Sequence, residues 1–160
     1  MKRVQFLFVA ILSIALFSFS SCNKSDDDVT PENPLLSSGS INLKVDGASW
    51  NASLAVQGIN TSGVINVTGS DSDAKQASLI LYGVTAPGTY TIGSGSTHQL
   101  RWTEGLGQTE TYSANGVIGS GTITVTELSS TKIKGSFSFT GMNTAQATKS
   151  ITDGSFEATF

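Results

Sequence analysis

The side chains that could carry out catalysis are few in this 160-residue chain. It holds one cysteine, Cys22, and one histidine, His98. Nucleophilic catalysis needs a serine or cysteine beside a base, and a Gly-x-Ser-x-Gly turn is absent from the sequence. His98 follows a run of Gly and Ser, which is typical of an exposed loop. The sequence therefore predicts no catalytic residue and no enzyme.

The carboxylates are spread along the chain without a motif. Glycoside hydrolysis requires two carboxylates that face one another roughly 5–10 Å apart. Glu104 and Glu110 flank a predicted hairpin loop and could approach each other, but we interpret them as solvated charges at the rim. Asp71 and Asp73 could offer oxygens to Ca²⁺, yet the further ligands of an EF-hand loop are missing. A turn is the better interpretation, and no metal is expected.

Aromatic side chains give one candidate for ligand binding. Trp and Tyr suit sugar-stacking platforms because they combine an apolar body with a polar group. Trp50 and Trp102 each alternate with apolar residues, which predicts that both lie in a core. Tyr112 is the aromatic residue of a mainly polar strand. Tyr112 is therefore the candidate residue for a carbohydrate-binding site.

The composition favours strands and argues against nucleic acid as a partner. Charged residues make up 13% of the chain, while Ser and Thr together number 43 and Gly 17. A surface made polar mainly by hydroxyls and turns is typical of β-structure. The net charge is −3, and no cluster of Lys or Arg lies beyond Lys2 and Arg3. Nucleic-acid binding normally requires such a cluster.

The N-terminus has the pattern of a targeting segment. A positive start, Met1-Lys2-Arg3, precedes an apolar stretch of 16 residues from Val4 to Phe19, which is short of the roughly 20 needed to span a bilayer. We interpret residues 1–21 as a signal peptide. Phe19-Ser20-Ser21-Cys22 resembles a bacterial lipoprotein signal, with Phe19 where Leu is more common. The resemblance implies cleavage before Cys22, a diacylglycerol on its thiol and an acyl group on its amino terminus. No cofactor other than this lipid is expected.

Residues 22–39 form an acidic tether in this interpretation. They hold four acids, two prolines and one Lys, so they cannot offset their ordering entropy by burial. The part after the cysteine, residues 23–39, reaches at most roughly 55 Å when fully extended. Ser25-Asp26-Asp27-Asp28 resembles the export signal of Bacteroidota surface lipoproteins. The resemblance implies an outer-membrane protein that faces the cell exterior and meets the lipoprotein processing and export machinery. The alternative is a solvated linker on a protein that faces the periplasm.

Residues 40–160 show apolar residues with a period of two, which predicts strands. Asp46-Gly47 is a hairpin turn signal, and the apolar alternation resumes at Ala48 and continues through Trp50 and Leu54 to Val56. Leu79-Ile80-Leu81-Tyr82 predicts a central strand covered on both faces. The strongest strand signals lie in residues 118–125 and 132–140. About nine or ten short strands predict a single all-β domain, either an antiparallel β-sandwich or a partly closed β-barrel.

Several motifs of this domain, in their order after the lipoprotein signal, resemble one family. They are Asp46-Gly47-Ala48-Ser49-Trp50-Asn51-Ala52, Pro87-Gly88-Thr89-Tyr90, Gly121-Thr122-Ile123-Thr124-Val125, Lys132-Ile133-Lys134-Gly135-Ser136-Phe137-Ser138-Phe139 and Asp153-Gly154-Ser155-Phe156. The family is a group of uncharacterised Bacteroidota outer-membrane lipoproteins with a domain of unknown function. It implies no catalytic residues.

The function expected from these features is a non-catalytic binding module or an envelope structural component, anchored in the membrane by lipid. Its partner would be a glycan or an envelope protein. Two alternatives remain open at this point. One is a lipocalin-like carrier whose barrel holds a small apolar ligand, and the other is a carbohydrate-binding module.

Overall fold

The computed structural model describes residues 38–160. The predicted signal peptide, the lipid attachment at Cys22 and the export signal Ser25-Asp26-Asp27-Asp28 lie outside the described residues. Eleven strands and no helix occur between residues 38 and 160. The strands are β1 Gly39–Val45, β2 Ala48–Asn51, β3 Ala55–Thr61, β4 Val64–Ser70, β5 Gln76–Tyr82, β6 Gly88–Ile92, β7 Gln99–Thr103, β8 Thr111–Ala114, β9 Ser120–Leu128, β10 Lys132–Met142 and β11 Thr148–Thr159.

The prediction of an all-β antiparallel fold is confirmed, with one or two more strands than expected. Helices of the length and hydrophobicity that crossing a membrane demands are not found in this described stretch.

The strands form one antiparallel sheet in which most neighbours along the chain are also neighbours in space. Four pairs join strands that are not consecutive in the chain, namely β1–β11, β5–β7, β6–β9 and β8–β10. The first of these pairs places β1 and β11 side by side. The sheet curls until the amide of Ser38, just before β1, donates a hydrogen bond of 2.9 Å to the carbonyl of Val56 in β3. The result is a partly closed barrel, within the predicted class.

Two strands of the barrel are interrupted at the same level. β6 and β7 run in line and pair with β9 and β8, which also run in line. Between the interruptions, the amide of Gly95 donates to the carbonyl of Gly116 at 3.2 Å. The side-chain oxygen of Asn115 accepts the amides of Val117 and Ile118 at 2.8 and 3.1 Å, as Asn does in tight turns. Ile118 therefore lies in a loop and not in the strand expected from residues 118–125.

The antiparallel pairing collects the turns at two ends of the barrel. The upper pole, as we name it, carries turns 46–47, 71–75, 104–110 and 143–147, and the lower pole carries Ser38 and turns 62–63, 83–87 and 129–131. Asp46 and Gly47 both have positive φ, 48° and 88°, as the central residues of a type I′ hairpin require. β1 runs from the lower pole to the upper pole. The chain therefore enters the domain at the pole opposite the Asp46-Gly47 turn.

One apolar cluster fills the interior of the described domain. Its largest fully buried side chains are Trp102, Phe156, Ile41, Ile65, Leu79, Leu81, Ile92, Leu100, Ile123, Ile133, Ile151 and Val56. The predicted alternation in β10 is confirmed, since Ile133, Phe137 and Phe139 are buried while Ser136 and Ser138 are exposed. Side chains of this size interdigitate without leaving a large void in a normally packed core.

Two expectations about buried residues were wrong. Leu54 was predicted to continue the buried face of Trp50, but it is 54% exposed. The strand ends at Asn51, and the amides of Ser53 and Leu54 both donate to the carbonyl of Ser70, so the alternation is broken. Tyr82, at the end of the predicted central strand, is exposed as well.

Candidate functional site

A pocket of about 310 Å³ opens at the upper pole. Its lining residues are Val45, Asp46, Ala48, Ser49, Trp50, Lys75, Trp102, Glu104 and Lys149. These residues come from the β1–β2 hairpin, the β4–β5 turn, the end of β7 and the start of β11. The pocket thus combines aromatic and charged side chains that are distant in sequence. We refer to it as the indole pocket.

The wall of the indole pocket is a pair of tryptophans. The Asp46-Gly47 turn folds β2 back on β1, so that Trp50 lies opposite the buried Leu43. Trp50 then meets Trp102 edge to face, with ring centroids 4.9 Å apart and planes at 76°, an arrangement that aromatic pairs prefer. Trp102 is buried, whereas Trp50 is only partly covered. The ring of Trp50 therefore provides the accessible aromatic surface.

Small residues make room for these rings. Trp102 faces Ala77 across the β5–β7 pair, and Ala77 in turn faces Gly69 across the β4–β5 pair. A Cβ at Gly69 would lie 2.8 Å from that of Ala52 and 3.0 Å from Ile41 Cδ1. A larger residue at position 69 would push against the segment that follows Trp50. Gly69 therefore allows this end of the barrel to close around the indoles.

Each indole N–H is bound by a carboxylate. Trp50 Nε1 donates to Asp71 Oδ2, and Trp102 Nε1 donates to Glu104 Oε1 at 3.1 Å. Because a partly buried N–H without a partner is costly, these two acids hold both rings in one orientation. The sequence predicted the two tryptophans as core residues and did not predict their carboxylate partners.

Asp71 also organises the β4–β5 turn. Its Oδ1 accepts the amides of Asp73 at 2.9 Å and Lys75 at 3.0 Å, which confirms the predicted turn. Partial burial of the carboxyl acts to raise the pKa of Asp71, but the hydrogen bonds from Trp50, Lys75 and Asp73 outweigh it, and the pKa lies below its ordinary 3.8. Asp71 is therefore held as a carboxylate.

Lys149 lies between two acids at the mouth of the indole pocket. Its Nζ is 2.9 Å from Glu104 Oε1 and 3.5 Å from Asp46 Oδ2. The hydrogen bond to Glu104 is the main cause that raises the pKa of Lys149 above its usual 10.5. Lys75 adds a second ammonium group to the lining. The lining therefore carries two positive charges, on Lys75 and Lys149, and two negative charges, on Asp46 and Glu104, so its net charge is zero.

Tyr112, the predicted ligand-binding candidate, lies next to the indole pocket. It faces Trp102 across the β7–β8 pair, and Lys149 Nζ is 5.5 Å from the centroid of its ring, within the range of a cation–π contact. It is half-buried and is not among the residues that line the pocket. Tyr112 is therefore connected to the indole pocket through its contact with Lys149.

The remaining predicted groups do not come together. Glu104 and Glu110 are joined through their backbones at 3.0 Å, but Glu110 Oε2 accepts the amide of Gly107 at 2.7 Å while Glu104 turns to Lys149. His98 Nδ1 accepts the amide of Tyr82 at 3.2 Å. Among residues 38–160, no group of three or more metal-ligating side chains is close enough to hold an ion.

A second, larger groove of about 690 Å³ lies beside the strand interruptions. Its lining residues are Tyr82, Ser96, Thr97, Gln99, Asn115, Gly116, Val117 and Ile118. None of them is charged, and Val117 extends almost fully into solvent. This groove offers a single exposed aromatic ring, Tyr82. The indole pocket offers a fixed aromatic wall with charged donors and acceptors around it, so it has the groups that can fix the orientation of a polar ligand.

Comparison with models of protein families gives a match over most of the described residues. A family model described as "Domain of unknown function (DUF6252)" matches residues 37–159. No match is found among curated proteins or among solved structures.

Proposed function

This chain belongs to the DUF6252 family, a domain of unknown function; from the sequence around Cys22 and the geometry of the indole pocket, we propose that it is a lipid-anchored outer-membrane lipoprotein whose β-domain is a non-catalytic binding module. The binding site is the indole pocket at the upper pole. The domain is displayed on the cell surface. Catalysis has no part in this proposal.

The support for the anchor lies in the sequence around Cys22. The apolar stretch before it is too short to span a bilayer, two serines precede the cysteine, and Ser25-Asp26-Asp27-Asp28 follows closely. Two or three acyl chains on one cysteine hold a protein at a membrane far more firmly than a single chain does, because each buried methylene contributes about 0.8 kcal/mol. The acidic run supports export to the outer face.

The observation that carries the binding proposal is the position of the indole pocket relative to the point where the chain enters. Ser38 lies at the lower pole, and β1 leads directly from there to Val45 and Asp46 in the pocket lining. Seven residues of strand cover about 23 Å. A domain tethered through the residues before Ser38 therefore has its pocket at the end remote from the attachment point. A ligand in the pocket therefore does not compete with the strand end through which the domain is tethered.

The packing of the barrel favours a surface site over an internal one. Trp102, Phe156 and the aliphatic residues around them occupy the interior. A lipocalin-like carrier would have to displace them to hold an apolar ligand. The indole pocket requires no such displacement.

The lipid anchor is tested by metabolic labelling with an alkyne-tagged fatty acid in the native host. We expect the wild-type protein to incorporate the label and to fractionate with the outer membrane. Cys22→Ser should lose the label, because Cys22 is the sole cysteine of the chain. Ser20→Ala is the matched control, since it keeps a small residue before the cysteine. Label that persists in Cys22→Ser, or a wild-type protein without label, would refute the anchor.

Surface display is tested by adding proteinase K to intact cells. We expect the wild-type domain to be degraded while a soluble periplasmic protein stays intact. Joint replacement of Asp26, Asp27 and Asp28 by Asn should protect the domain, whereas Glu32→Gln, which removes an acid outside the run, should leave it sensitive. A wild-type domain that resists the protease until the cells are lysed would place it in the periplasm.

A further inference from the structure

We propose that the indole pocket binds a neutral sugar ring at the end or on a branch of a glycan. This inference rests on the proposed function as a binding module and names the ligand class. Three properties of the described residues support it: a fixed aromatic wall, an ammonium group with only a distant partner beside a carboxylate with one oxygen available, and a lining without net charge.

The aromatic wall is pre-organised. The hydrogen bond to Asp71 and the edge-to-face contact with Trp102 leave Trp50 little freedom to rotate. A ligand that stacks on its exposed part loses no affinity to ordering the side chain. A pyranose ring has one face of C–H groups that can lie against an indole, and its edge of hydroxyls then points to the rim.

The rim of the pocket offers hydrogen-bonding groups in addition to the aromatic wall. Glu104 Oε1 accepts bonds from Trp102 and Lys149, whereas its Oε2 has no partner between residues 38 and 160. Lys75 Nζ makes only a contact of 3.9 Å with Asp73 and leaves its donors available. Sugar hydroxyls can donate and accept, so one ring can satisfy a carboxylate and an ammonium at once.

The charge and size of the pocket narrow the ligand class. The ammonium groups of Lys75 and Lys149 are matched by the carboxylates of Asp46 and Glu104. An acidic ligand would meet the carboxylates and a basic one the ammonium groups, so a neutral ligand fits best. The volume of about 310 Å³ is at the small end of ligand pockets, roughly 300–1,000 Å³. It suits one terminal or branch residue, with the rest of the glycan in solvent.

The experiment uses the full chain, purified from membranes in a detergent without a sugar head group. Intrinsic fluorescence reports directly on the site, because the chain has two tryptophans, both in the pocket wall. The probes are neutral oligosaccharides of glucose, mannose, galactose and xylose. Oligogalacturonate serves as the acidic comparator and chitosan oligomers as the basic one. Calorimetry gives the dissociation constant of each.

We expect at least one neutral oligosaccharide to bind saturably and to change Trp emission, with a Kd that changes less than about twofold between low and high salt. Trp50→Ala should weaken binding at least about tenfold. Lys75→Ala and Glu104→Gln should each weaken it by roughly three- to tenfold. These two variants keep the inference testable if Trp50→Ala does not fold.

The matched control is Tyr82→Ala, which removes the exposed ring of the other groove and should leave the Kd unchanged. Loss of binding in Tyr82→Ala with full binding in Trp50→Ala would overturn the inference. Binding of the charged oligosaccharides alone would also overturn it. If a folded, lipidated and surface-displayed protein binds no glycan of the panel, the sugar inference fails, whereas the proposed anchor and display stand on their own tests.

Discussion

Trp50 and Trp102 lie edge to face with ring centroids 4.9 Å apart, although 51 residues separate them in the chain. Asp71 and Glu104 bind their indole N–H groups. These side-chain contacts thereby join the β1–β2 hairpin to the β4–β5 turn and to the end of β7. The stability of the upper pole and the geometry of the indole pocket therefore depend on the same contacts.

Asp71→Asn should lower the free energy of unfolding by about 1–2 kcal/mol, because an amide cannot accept from Trp50 and from two backbone N–H groups as a carboxylate does. Asp73→Asn is the control, since the Asp73 side chain is exposed and makes only the distant contact with Lys75. Urea unfolding at neutral pH measures both variants. Equal stability of the two would contradict the role of Asp71.

The lowered pKa of Asp71 also predicts a response to acid. The folded state ionises Asp71 more readily than the unfolded state does, so its contribution to stability is complete above the ordinary pKa of 3.8 and is lost as the pH falls through the lower folded value. Asp71→Asn should therefore differ less from the wild type in this acidic range than at neutral pH. Urea titrations of the wild type and of Asp71→Asn from neutral to acidic pH test this. A difference in the free energy of unfolding that stays constant over this range would disprove it.

Gly135→Ala should destabilise the domain by about 1–3 kcal/mol, as overpacking of a core does. A Cβ at Gly135 would lie 2.1 Å from the carbonyl oxygen of Thr124 and 2.9 Å from the ring of Phe156. Gly88→Ala is the matched control in another strand, where the nearest atom is 3.5 Å away, in the side chain of Tyr90. Thermal unfolding should show a clear loss for the first variant and none for the second. A neutral Gly135→Ala would show that the β9–β10 packing is looser than described.

His98 predicts a second pH effect in a different range. Burial lowers the pKa of His98 below its ordinary 6.5, and its Nδ1 accepts the amide of Tyr82, which requires the neutral ring. Below pH 6.5 the unfolded state therefore binds more protons at His98 than the folded state does. The contribution of His98 to stability is complete above pH 6.5 and is lost as the pH falls from 6.5 towards the lower pKa of the folded state. His98→Gln should remove this slope in urea titrations, and because the chain has one histidine no other imidazole can replace it. An unchanged slope in the variant would refute the assignment.

Tyr112 should act through packing and not through its hydroxyl. The hydroxyl makes no hydrogen bond with any residue from Ser38 onwards, so Tyr112→Phe should change the free energy of unfolding by less than about 0.5 kcal/mol. Tyr112→Ala should cost about 2 kcal/mol, because the half-buried ring packs beneath Lys149. Chemical denaturation compares the two variants. A Phe variant as unstable as the Ala variant would indicate a hydroxyl contact in solution.

The sequence was most informative where one strand face meets the core. In β10 the alternation of Ile133, Phe137 and Phe139 with serines could be read directly, because side chains in a strand point to alternate faces. The same rule failed at Leu54, because the strand has already ended and the amides of Ser53 and Leu54 donate hydrogen bonds to the carbonyl of Ser70. The alternation of apolar and polar residues does not indicate where a strand ends.

The indole pocket was harder to predict for a related reason. Trp50 and Trp102 have the pattern of core residues, and their contact with one another depends on how the hairpin and β7 meet in space. The partner of Trp50, Asp71, belongs to a turn that was predicted correctly. The sequence thus predicted the two strand positions and the turn that form the site. It did not predict the distances between them, because these depend on how the sheet curls.

The pairing of β1 with β11 has a consequence for how the domain folds. Gly39 lies opposite Ala158, so the two partners are separated by almost the entire domain in sequence. Until β11 is available, β1 has only the short β2 as a partner, and the barrel cannot close. Contacts of such long sequence separation slow folding, so we expect the barrel of the newly made chain to stay open until β11 has been synthesised. Deletion of β11 should therefore leave an unfolded chain and not a smaller barrel.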